Sequence, residues 1–168
     1  MFAYIPVWVP LVLLLLLVLG QRQSRTRDVR PGLVTGIALA MFAFSLFGVV
    51  SAFGAAPAVL LLWAAAYASS VFWGARRVSS RGMALVGAAV RVPGSWVPLA
   101  LMLGIFGAKF LLGFAAGVHA GFLHELWFVA AMSAVLGLLS GGFGARAVAV
   151  RRFAAAGSRH TLNPGGPR

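Results

Sequence analysis

The sequence holds no cysteine, one lysine and only two acids, Asp28 and Glu125, among 168 residues. Without cysteine it forms no disulfide, no thiolate metal site and no thiol redox couple. With two carboxylates in all, paired-carboxylate acid–base chemistry or two-metal hydrolysis has almost nothing to be built from. The phosphate-binding glycine loop, the paired-histidine zinc helix and the serine nucleophile elbow are missing as motifs too. Charge is scarce altogether, at 10% of residues, where ordinary soluble domains carry about a quarter.

What abounds is apolar. Hydrophobic residues make up 61% of the chain, and mean hydropathy is +0.97. A chain of this length normally makes one domain. One core cannot absorb so much apolar surface, so the lipid bilayer is the expected solvent and principal partner. Net charge is +12, which in a soluble protein would point to nucleic acid. Here the arginines fall in the stretches between apolar runs, as loops on the cytoplasmic side require. No nucleic-acid partner is expected.

The fold class implied is all-α: a polytopic membrane bundle with five transmembrane helices at about 2–20, 33–53, 56–73, 96–117 and 122–143. The membrane domain takes in residues 1–156, and 157–168 reads as a disordered cytoplasmic tail by composition. About 20 apolar residues suffice to span. The first run lacks the basic start and small-residue cleavage site of a signal peptide, so it reads as a retained span. The uncharged stretch from Leu33 to Ala75 is roughly twice the hydrocarbon thickness. It must turn, and its turn signals cluster at Ser51–Pro57. Between the third and fourth spans, residues 75–95 contain a short apolar stretch, Met83–Val90. It reads as a short β-hairpin turning near Gly87, an interfacial segment, or a plain loop.

The connections after the first and third spans carry four arginines each, and the tail carries five. The N-terminus and the other two turns carry none. The positive-inside rule then places the N-terminus outside and the C-terminus in the cytoplasm, in a cell inner membrane.

Lys109 is the one charge deep within a span, and intramembrane ionisable residues mark function by default. Gly113 and Gly117 follow it at four-residue steps, a face that would admit a neighbouring helix. Lys109 then either points into the bundle or snorkels to the outer headgroups. Glu125, in the first turn of the last span, is its natural ion-pair partner. His119 and His124 bracket the outer turn beside Glu125, where they could form a metal or haem edge; no cofactor is assigned. Ser133, Gly137 and Gly141 form a small-residue stripe on the last span. Packing within the chain is its first reading, and a second copy in a homo-oligomer its alternative. Tyr67, Ser69 and Ser70, on the alanine-rich third span, offer hydrogen bonds across such a seam.

The stretch Val92-Pro93-Gly94-Ser95-Trp96-Val97-Pro98-Leu99, with Lys109-Phe110 and Gly113 beyond it, resembles a family of small bacterial multi-pass membrane proteins of unknown function. The end of the second span, Leu46 to Gly54, shares that resemblance. It implies that Pro93, Gly94, Ser95, Trp96, Lys109 and Gly113 belong to a common pattern. A looser similarity links the chain to CcdC-type membrane proteins, associated with cytochrome c biogenesis. The expected role is a non-enzymatic membrane bundle that supports or binds another membrane component. The alternatives are a small-molecule or ion transporter using Lys109, and a haem- or metal-handling protein using His119 and His124.

Overall fold

The computed structural model describes residues 14, 18, 26–78, 82–87, 89–119 and 121–162, with side chains as far as residue 157. Its long helices are α1 (Pro31–Phe53), α2 (Pro57–Arg77), α3 (Val97–Gly117) and α4 (Leu126–Leu162). All four are long and apolar enough to cross a membrane. The expected first span lies outside the described residues except Leu14 and Val18, which are helical.

Proline opens three of these helices: Pro31 and Pro57 as the first helical residue, Pro98 as the second. Its missing N–H costs nothing there, and its fixed φ suits the first turn. Gly54 ends α1 at φ +76°, donating its N–H to the Val50 carbonyl, a conformation that suits glycine alone. The α1–α2 hairpin therefore turns where the sequence carries its Gly and Pro.

α4 is the hub. It runs parallel to α2: Gly137 lies beside Trp63–Tyr67, Gly141 beside Tyr67–Ser70, and Ala145 beside Gly74. It runs antiparallel to α3, where Gly104 meets Leu139 and Leu101 meets Gly142. It is also antiparallel to α1, since Ser45 reaches Leu136 while Ala38 clusters with Phe143 and Ala147. One end of the bundle thus collects the starts of α1 and α3, the end of α2 and the second half of α4.

That end is closed by a small antiparallel sheet. Strands β1 (Arg27–Val29), β2 (Ala84–Val86) and β3 (Ala89–Val92) lie in the order β1-β3-β2. Within the 75–95 connection β2 and β3 pair antiparallel on either side of Gly87, and β1 from the 21–32 linker adds a third strand on the far side of β3. Val29, Val90 and Val92 of the sheet pack with Val150 of α4.

The last helix corrects the expectation most. The fifth span was read as ending near residue 143, with a tail beyond it, yet α4 continues to Leu162. At 37 residues it is about 55 Å long, well beyond a hydrocarbon core of about 30 Å. Its arginines do not end it, because the face carrying Ala147 and Val150 stays apolar and buried. Helices stop where backbone bonding and packing stop, not where hydropathy falls.

Candidate functional site

Three places in the bundle gather polar or charged side chains among the described residues. The first is the α2–α4 seam. A Cβ on Gly137 would stand 2.5 Å from the Trp63 carbonyl oxygen, and one on Gly141 2.6 Å from the Tyr67 carbonyl oxygen. Only glycine allows the backbones so close. Ser70 Oγ crosses the seam to donate to the Leu138 carbonyl at 2.8 Å, whereas Ser69 bonds within its own helix, to Ala66.

Alongside runs a buried polar relay. The Trp63 indole N–H donates to Ser45 Oγ at 3.0 Å, and Ser45 donates in turn to the Leu136 carbonyl at 3.0 Å. α2, α1 and α4 are joined through two side chains. Trp63 is therefore a buried core residue, 4% exposed. Phe42 packs edge-on to both Trp63 and Tyr67, with ring centroids 5.0 Å apart in each case. Ser133, at 0% exposure, has no hydrogen-bond partner among the described residues.

The second place is Lys109. Its ammonium stands 3.9 Å from the centroid of the Phe44 ring and 6.0 Å from that of Phe47. Gly48 makes the room, for a Cβ there would lie 2.5 Å from Nζ. The side chain lies across α1, half-buried, in a cation–π seat. This replaces the expected pair with Glu125: that residue is exposed at the start of α4, and the only ion pair among the described residues is Arg91–Asp28. Gly113 and Gly117 do not receive a helix either, since nothing lies within 4 Å of a Cβ built on either. The reason is rotational. Ile105, Ala108, Leu112 and Ala115 form the buried stripe of α3, and the 109-113-117 row lies about 100° away from it.

The α3–α4 turn brings no cluster together. His119 is exposed at φ +51°, and His124 closes the short 3₁₀ turn Gly121–His124, also exposed. Among the described residues, no three His, Cys, Asp or Glu side chains gather to hold a metal.

The third place, at the sheet end, is one that sequence reasoning missed. The Pro93–Trp96 segment leads from β3 into α3. There Ser95 Oγ accepts the Val97 N–H at 3.2 Å, while Gly94 and Trp96 are exposed. Pro93 and Pro98 line a cleft of about 50 Å³ between the sheet and the bundle, together with Arg27, Val29, Phe143 and Arg146. Arg27 and Arg146 read as loop and tail charges in the sequence. What joins them is the pairing of β1 with β3 and the helical continuation of α4 past residue 143.

On the outer face of the sheet, Arg91 Nε donates to Asp28 Oδ1 at 2.8 Å and Nη2 to Oδ2 at 3.2 Å. This two-pronged hydrogen bond, with the guanidinium charge behind it, holds the Asp28 carboxyl below the usual aspartate range and raises Arg91.

The family model described as Family of unknown function (DUF6622) matches residues 1–160. No curated protein and no solved structure matches the chain.

Proposed function

The chain belongs to that family of unknown function, and we propose that it is a five-span inner-membrane protein acting as a non-enzymatic bundle that supports or binds another membrane component. The N-terminus would lie outside and the basic sheet end in the cytoplasm. One observation carries this reading: the sheet, the arginines after α2 and the basic stretch of α4 all fall at one end of the bundle. Arg27, Arg30, Arg76, Arg77, Arg91, Arg146, Arg151 and Arg152 belong to that end, while the α1–α2 and α3–α4 turns carry no Lys or Arg. Segregation of this kind orients a polytopic chain, because arginine-bearing loops resist translocation.

The faces between the two ends support a lipid setting. Leu39, Phe47, Leu61 and Phe114 are more than half exposed, an apolar girdle that water would penalise by roughly 25 cal/mol per Å². Transport through Lys109 is the weaker reading. The ammonium rests against Phe44 and Phe47, themselves 48% and 69% exposed, so it lies at the rim of the bundle.

Reporter fusions test the orientation. An exterior-type signal at the N-terminus and a cytoplasmic-type signal after Arg152 are expected. The opposite pair, or the same signal at both, overturns the assignment.

A further inference from the structure

We propose that the cleft between the inner face of the sheet and the helices holds a single phosphate-type anion, gripped by Arg27 and Arg146. Neighbouring strand residues face opposite ways. Asp28 and Arg91 are partners in register and pair on the outer face, whereas Arg27, Val29, Val90 and Val92 occupy the inner one. Val29, Val90 and Val92 are buried against α4, so Arg27 is a cation on the apolar side of a small sheet.

Arg146 of α4, half-buried, lines the same cleft. Neither has a carboxylate partner among the described residues. Of the two acids in the chain, Asp28 is held by Arg91 and Glu125 lies at the far end of the bundle. Arg27 is exposed and Arg146 half-buried, and two guanidinium charges lining one cleft focus a positive field that draws an anion between them. Arginine forks suit the oxygens of phosphate in particular.

Size narrows the occupant. About 50 Å³ is far below the roughly 300 Å³ of the smallest drug-sized pockets, so one anionic group fits and a nucleotide does not. Val34 and Ile37 of α1, Met102 of α3 and Phe143 of α4 continue the wall. They provide an apolar surface beside which an acyl chain can lie. The phosphate is therefore either that of a lipid headgroup, as in other basic pockets at a cytoplasmic membrane face, or one free in solution. The lipid source rests on the membrane reading above; the anion site does not.

Binding to the purified full-length chain, in detergent with phosphatidylcholine, separates these sources. The probes are phosphatidic acid, diacylglycerol of the same chains and inorganic phosphate, each titrated against the melting temperature. Phosphatidic acid or inorganic phosphate is expected to raise it, and the stronger of the two names the source. Diacylglycerol is expected to leave it unchanged. Arg27→Gln and Arg146→Gln should each weaken the response at least about tenfold, the value of a charge-assisted hydrogen bond. Arg151→Gln, which removes an exposed charge, should not. If a glutamine variant fails to fold, Arg27→Lys and Arg146→Lys keep the charge, lose the fork and should bind with intermediate affinity. No response to either phosphate probe, an equal response to diacylglycerol, or equal loss in Arg151→Gln overturns the site.

Discussion

Ser45 and Ser133 are both at 0% exposure, on α1 and α4, yet only Ser45 is hydrogen-bonded. Ser45→Ala strands the Trp63 N–H and leaves the Leu136 carbonyl one donor short, at a cost of about 1–3 kcal/mol. Ser133→Ala removes a buried hydroxyl that has no partner among the described residues, so it should be neutral or stabilising. Melting in detergent checks both, and equal losses would contradict the relay. The Lys109 seat is tested by a cycle. Gly48→Ala pushes the ammonium off its ring and should cost about 1 kcal/mol. In a Lys109→Ala background the same change should cost nothing, since alanine is the better helix former by up to about 1 kcal/mol. The same cost in both backgrounds would remove Lys109 from the account. Sequence singled out Lys109 by its isolation but not its direction, which depends on a gap at Gly48 some 60 residues away. Spacing along α3 speaks only of α3.

Between elements, the α2–α4 seam depends on the absence of Cβ atoms. Gly137→Ala and Gly141→Ala each force a methyl against rigid backbone, and a loss of about 1–3 kcal/mol is expected. Gly107→Ala, with nothing within 4 Å, should be neutral or slightly stabilising. The sheet responds to acid. The Asp28 carboxyl is held below its ordinary value by Arg91, so the pair's contribution is fully present above the unfolded aspartate pKa of about 3.9. It is lost as pH falls through the lower folded value. Protection of the Val29 and Val90 amides, taken relative to the intrinsic exchange rate at each pH, should fall on acidification, and in Asp28→Asn it should already be reduced at neutral pH. Helix starts were legible because Pro31, Pro57 and Pro98 mark them chemically. β1 was not, because three residues in a polar linker carry no period, and their pairing is decided by β3 some 60 residues on. The continuation of α4 was masked by Arg146, Arg151 and Arg152. The row Phe143, Ala147, Val150 and Ala154 was its signal, and hydropathy averaging hides a stripe of that kind.

For the whole molecule, apolar helices and a charge pattern confined to alternate connections are visible in the sequence because the bilayer imposes both. The assembly of those connections into one sheet-capped basic end is a property of the packing around α4. The absence of native cysteine allows that end to be located directly. Ala55, Gly121, Val86 and Arg152 can each be changed to cysteine singly and exposed in intact cells to a maleimide that does not cross membranes. Labelling of Ala55→Cys and Gly121→Cys in intact cells is predicted, with Val86→Cys and Arg152→Cys labelled only after permeabilisation. Labelling of Val86→Cys or Arg152→Cys in intact cells, or protection of Ala55→Cys and Gly121→Cys, would contradict a basic cytoplasmic end.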